Sequence, residues 1–184
     1  MDKKNNVYLM HGSDTKVTQI DFTYSRLRTD FGKGFYLSNK LDAARVWALR
    51  AARSSETAFV VRFEVSRSIF DPAVIACKRF EGATREWLDF VRDNRERKSQ
   101  KNAHLGEPRH DYDVVSGLIA DDQAADVVDR YCRDKITWQQ ALEEMKYIPD
   151  IYQLSLHTQK ALDFAKAVDY QQYRDGKWSG WLNI

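Results

Sequence analysis

The sequence predicts an α+β domain, a sheet core with flanking helices. Short β-rich runs are interleaved with amphipathic helical stretches along the chain. Strands and helices do not alternate in the regular βαβ rhythm that a parallel sheet requires. The 184 residues are 43% hydrophobic and 12% aromatic, which suffices for one core without disulfides. Cys77 and Cys132 lack metal-ligand spacing and read as reduced thiols. A net charge of +2 gives no global attraction to nucleic acid or to a membrane. The polar start, residues 1–6, has no apolar core behind it, and Val7 to Met10 is too short to span a bilayer. A cytoplasmic protein with no membrane partner is expected, with export by a specialised secretion route left open.

Val7 to Met10 is a compact apolar run and reads as a buried strand that ends in a polar turn, His11-Gly12-Ser13-Asp14. Residues 20–30 have no period and read as an irregular connection carrying Arg26 and Arg28. The segment Asp30-Phe31-Gly32-Lys33-Gly34-Phe35-Tyr36-Leu37-Ser38 follows. Two glycines one residue apart imply a positive φ or a close approach by another group. Phe35 to Leu37 then reads as a short buried strand. Taken alone, this segment reads as a tight turn between two strands.

From Leu41 to about Arg53 the pattern is helical, with Ser38 or Asn39 as N-cap and Ala43, Val46, Trp47, Ala48 and Ala51 on its stripe. Ser54-Ser55 breaks it. AFVVRFEV, from Ala58, alternates as a strand, and Asp71-Pro72 marks a turn between short strand pieces at 69–70 and 74–75. Thr84 caps a helix with Trp87, Leu88 and Val91 on one side. Residues 92–110 are strongly polar and basic and read as a long mobile loop, either a solvated surface or a device that steers an anionic substrate.

Tyr112 to Ile119 has strand character and runs into Ala120-Asp121-Asp122, an acidic helix start continued to Arg133. Thr137 caps the next helix, whose stripe is Trp138, Ala141, Leu142 and Met145, and Pro149 closes it. Tyr152 to His157 alternates as a last strand, and Thr158 caps a helix reaching Ala165. The domain is expected to span 1–169, with 170–184, including Trp178 and Trp181, as a tail that docks on the domain or on a partner. G-x-G-x-x-G and G-x-x-x-x-G-K-[ST] are both absent, which removes the common nucleotide-binding fingerprints.

Three polar residues sit on or beside short strands: His11, Tyr36 and Gln153. With His11-Gly12-Ser13 and Phe31-Gly32-Lys33-Gly34-Phe35-Tyr36 around them, they resemble the ADP-ribosyltransferase superfamily, in its branch with a His, a Tyr and a Glu, Asp or Gln on three core strands. The first motif is similar to the H-G-S/T of the poly-ADP-ribose polymerases and diphtheria-like toxins, the second to their F-G-K-G-I-Y-F. HGS, DFGKGFYLS, EWLDFV, HDYDVVSGLIADD and QLSLHTQKAL together resemble a bacterial family of uncharacterised-domain proteins assigned to that superfamily and often encoded in toxin–antitoxin loci.

The resemblance implies a split mixed or antiparallel sheet core and NAD as substrate. It gives His11, Tyr36 and Gln153 the catalytic positions. It gives His11, Gly12, Ser13, Arg26, Gly34, Tyr36 and Trp47 to NAD binding. In that scheme Gly12 exposes main-chain groups to the nicotinamide amide, and the His11 ring bonds a ribose hydroxyl. Tyr36 and Trp47 sandwich the nicotinamide, and Arg26 and Arg28 hold the pyrophosphate. Gln153 bonds the ribose 2′-hydroxyl but brings no negative charge to an oxocarbenium-like transition state. Another acid then assists (Asp113, Asp121 and Asp122 are the candidates), or the acceptor is a strong nucleophile, or the protein only binds NAD. The implied partners are NAD, an antitoxin protein and an acceptor that is nucleic acid, notably RNA, or protein. A silent NAD binder and a partner-binding module built on the tail are the rival readings.

Overall fold

A computed structural model describes residues 5–53, 57–95, 110–120, 123–148 and 151–184. In chain order the elements are β1 (Asn6–Ser13), β2 (Phe35–Ser38), α1 (Leu41–Ala52), β3 (Ala58–Ser66), β4 (Cys77–Arg79), α2 (Arg85–Arg95), β5 (Val114–Leu118), α3 (Gln123–Cys132), α4 (Trp138–Met145), β6 (Tyr152–Leu156), α5 (Gln159–Leu162), β7 (Ala165–Arg174), β8 (Lys177–Trp178) and β9 (Leu182–Asn183). The fold is α+β, as expected. Its mixed sheet runs β4-β5-β6-β2-β1-β3-β7-β8, with β9 also on β7. All pairings are antiparallel except β4 with β5.

The sheet is split at its middle. β1 pairs with β3 along its whole length, from Asn6↔Ser66 to Ser13↔Phe59. On its other side β1 meets β2 only at Met10↔Ser38. β2 continues into the second half of the sheet through β6, from Phe35↔Leu156 to Ser38↔Gln153.

Register and alternation sort the side chains. One face carries Leu9, Phe35, Leu37, Val61, Phe63, Val65, Leu154 and Leu156, packed with Ile69, Ile75 and Ala161. The opposite face is covered in two places. Ala44, Ala48 and Ala52 of α1 pack on Met10, Ala58 and Val60. α2, α3 and α4 pack on Val115 and Leu118 through Trp87, Leu88, Val91, Val127, Val128, Ala141 and Met145. Between these two covers, on β2 and β6, lie Tyr36, Ser38, Gln153 and Ser155.

Several expectations need correction. β1 does not turn at His11: it continues to Ser13, because each of its residues pairs with β3. The buried stripe of α1 is Ala44, Ala48 and Ala52, whereas Val46 is exposed and Trp47 half-buried; only alanines fit this close to the sheet. The N-cap of α1 is Lys40, with Ser38 Oγ accepting from its N–H. Residues 67–70 form a 3-10 turn rather than a strand. α2 extends to Arg95, into the segment read as a loop, while 96–109 lie outside the described residues. So do Ser54, Ser55, Asp121, Asp122 and Pro149.

The helix after Thr158 stops at Leu162. β6 is followed by the ten-residue β7, which pairs with β3 from Ala58↔Tyr173 to Val65↔Ala165. The residues set apart from Tyr170 onward therefore begin inside a strand, and β8 and β9 fold back on it. Other expectations hold. Thr84 Oγ1 accepts from Trp87 N, and Thr137 and Gln140 form a capping box at α4. Among the described residues, no helix is long and apolar enough to cross a membrane.

Candidate functional site

His11, Tyr36 and Gln153 lie on β1, β2 and β6, three neighbours in the sheet. They do not share a face. The His11 ring stacks on Phe35 at 4.2 Å, on the face where Phe35 and Leu37 point. Tyr36 and Gln153 point to the opposite face. What joins them is the split. His11 Nδ1 lies 2.8 Å from the Tyr36 carbonyl oxygen, just past the single β1–β2 pair. A carbonyl only accepts, so Nδ1 carries the hydrogen. Burial pushes the His11 pKa down to about 4, the Tyr36 carbonyl works against this, and the nearby Arg26 charge adds to it. Near pH 7 the ring is neutral, and the lone pair of Nε2 is a hydrogen-bond acceptor.

Tyr36 is held by its hydroxyl. The phenol donates to Gly32 O at 2.7 Å and accepts from Phe31 N at 3.0 Å, with Thr29 Oγ1 at 2.8 Å. Burial drives its pKa well above that of a free tyrosine, so it stays protonated. The hydroxyl therefore anchors residues 29–32, and what Tyr36 can offer a ligand is its ring.

Gln153, 8% exposed, uses both amide hydrogens inside the protein: Nε2 donates to Asp30 Oδ2 at 2.7 Å and to Leu118 O at 3.3 Å. No described residue donates to Oε1. Asp30 is the acid in contact with Gln153, and sequence reasoning missed it. It is buried, accepts from Ala120 N at 3.0 Å, and pairs with Arg95, whose Nε lies 3.0 Å from Oδ1. Burial alone would lower the Arg95 pKa, but the charge and hydrogen bonds of Asp30 outweigh it and raise the net value. Asp113, one of the expected acids, is occupied elsewhere: it accepts from Thr158 Oγ1 at 2.6 Å and from Ala76 N at 3.2 Å.

The two glycines assigned to ligand contact have reasons within the protein. A Cβ on Gly12 would lie 1.9 Å from Ala44 O, so Gly12 is where α1 crosses β1. A Cβ on Gly34 would lie 2.7 Å from both Leu156 O and His157 Nδ1. Gly32, with φ of 83°, supplies the left-handed turn of the segment. His157 fastens that turn: its Nδ1 bonds Lys33 O at 2.9 Å and its Nε2 lies 2.8 Å from Ser155 Oγ. Burial lowers the His157 pKa to about 4.

Arg26 and Trp47 do come together. The Arg26 guanidinium lies 5.8 Å from the Trp47 ring centre, and Arg50 flanks the same ring at 5.3 Å. Arg26 is also a charge felt by the His11 ring. Arg28 is exposed with φ of 60°. Ser13, at the end of β1, accepts from Thr15 N at 3.3 Å.

Residues 7–166 match the family described as "Protein of unknown function (DUF3990)". The match covers most of the chain, so the protein belongs to that family. No curated protein and no solved structure matches it.

Proposed function

We propose that this protein is a mono-ADP-ribosyltransferase that moves ADP-ribose from NAD to a macromolecular acceptor, and that it acts as the toxin of a toxin–antitoxin pair. The carrying observation is the Gln153 amide. With both its hydrogens taken by Asp30 and Leu118, Oε1 is the group left to face a ligand, and it is an acceptor. His11 Nε2 is a second acceptor of fixed direction. Two such acceptors suit hydroxyl donors, which the two riboses of NAD supply, and the half-buried Trp47 ring beside Arg26 suits a flat aromatic group next to phosphate. The resemblance of HGS and FGKGFY to the ADP-ribosyltransferases adds the reaction.

In that reaction the bond between ribose C1′ and the nicotinamide nitrogen breaks. Nicotinamide leaves with the electron pair, as a neutral molecule. An acceptor nucleophile bonds C1′ and loses its proton to solvent. The protein's part is to hold NAD, orient it and exclude water. The acceptor is nucleic acid, notably RNA, or protein, and the antitoxin is expected to cover the site. Poly-ADP-ribose synthesis is disfavoured, since position 153 lacks the acid thought to drive elongation.

A second reading, a silent NAD or ADP-ribose binder, is favoured by one fact. Gln153 is neutral and Asp30 is neutralised by Arg95, so the site brings no net negative charge to a developing cation. Incubation of the pure protein with labelled NAD, RNA, DNA and lysate protein separates the two. Transfer of label to one acceptor class is expected. NAD binding without transfer or nicotinamide release would reverse the conclusion in favour of the binder.

A further inference from the structure

An amide in place of a carboxylate has an orientation, and that orientation decides whether it presents an acceptor or a donor. We infer that Asp30 is a positioning residue that fixes the Gln153 amide with Oε1 toward the ligand, a role that rests on the reading of the site given above. Asp30 sits 123 residues away in sequence, yet Oδ2 lies 2.7 Å from Gln153 Nε2. A carboxylate accepts only, so the amide nitrogen must turn toward it. The Leu118 carbonyl, 3.3 Å from the same nitrogen, enforces the same choice.

Asp30 is itself held from three sides: by Arg95 at Oδ1, by Ala120 N at Oδ2, and by burial that leaves it 7% exposed. Arg95 in turn donates to Ala120 O at 3.0 Å and reaches Asp129 at 3.3 Å, which ties the pair to the ends of α2, α3 and β5. The amide, polarised by the carboxylate behind it, becomes a stronger acceptor at Oε1. The chain thereby recovers part of what a carboxylate at position 153 would give a ribose hydroxyl, without an ionised group facing the ligand.

The role predicts coupling. Asp30→Asn leaves one acceptor oxygen where Gln153 Nε2, Ala120 N and Arg95 had two, and removes the charge that polarises the amide, so the hold on the Gln153 orientation is lost. Nicotinamide release should lose about 10- to 100-fold in kcat, with KM for NAD changed only a few-fold. Gln153→Ala should lose a comparable factor. The double variant should be no slower than Gln153→Ala alone, because Asp30 acts only through Gln153. An equally folded Asp30→Asn with unchanged kcat, or losses that multiply in the double variant, overturns the role.

Should Asp30→Asn fail to fold, the wild-type protein still decides. The two side-chain amide protons of Gln153, assigned by their absence in Gln153→Ala, should resist exchange with solvent, and rapid exchange of both refutes the fixed amide. A wild-type protein that neither binds NAD nor releases nicotinamide overturns the NAD reading and this role with it. Turnover by wild type and by Asp30→Asn alike removes the role alone.

Discussion

His11 Nδ1 lies 2.8 Å from the Tyr36 carbonyl oxygen, at the point where β1 and β2 cease to pair. One side chain thus meets an acceptor that the missing backbone ladder would have used, and in doing so it orients Nε2. His11→Ala should lower nicotinamide release at least about tenfold and relieve the growth arrest that expression without antitoxin is expected to cause. Arrest of undiminished strength would mean that toxicity does not arise at this site.

Tyr36→Phe tests what the tyrosine is for. The change removes the phenol's bonds to Gly32 O and Phe31 N but keeps the ring. Stability should fall by about 1–3 kcal/mol, read from denaturant unfolding, while NAD affinity stays within a few-fold. A large loss of affinity at full stability would show that the hydroxyl, not the ring, serves the ligand.

Stability should depend on acid in a defined window. His11 and His157 have folded pKa values near 4, against 6.5 for a free histidine. Between those values the unfolded chain binds more protons than the folded one, so stability is full above about pH 6.5 and falls as the pH drops toward 4. Each ring contributes on the order of 3 kcal/mol to that fall. Melting temperature followed from pH 7.5 to 4 checks this, and His157→Gln should flatten the acid limb.

Gly12→Ala should be severely destabilising for a methyl group. Its Cβ would meet the Ala44 carbonyl at 1.9 Å, and both partners are backbone. A loss of about 3 kcal/mol or more is expected, measured as a shifted urea midpoint. Gly34→Ala, facing Leu156 O and His157 at 2.7 Å, should follow it.

Trp47 gives the opposite case. It stands off the Ala44, Ala48 and Ala52 stripe and is half-buried. Trp47→Ala should therefore leave the melting temperature within a few degrees while weakening NAD binding roughly three- to tenfold, as titration calorimetry would read. Unchanged affinity would take Trp47 out of the site.

Much of this was legible in the chain because it was local. The caps at Thr84 and Thr137, the alternation of β3, and the turn chemistry of Gly32 each depend on residues a few positions apart. β7 was illegible for a nameable reason. Its residues facing the core are Ala165, Ala167 and Tyr170, and the register shift opposite Arg62/Phe63 turns a spacing of two into three. The stripe of α1 was misread by size: Val46 and Trp47 look like core, but the sheet approaches so closely that alanines face it.

The sequence by itself determined the fold class and most strands and helices, since periodicity is written along the chain, and motif resemblance nominated His11, Tyr36 and Gln153 as candidates. The tertiary structure alone decided where the sheet splits, between β1 and β2, that His11 lies on the other face from Gln153, and that Asp30 and Arg95 stand behind the amide. Those facts arise from contacts between residues 25, 65 and 123 positions apart. Such contacts form only when strands from distant parts of the chain pair, and no local pattern encodes which buried acid will meet which amide.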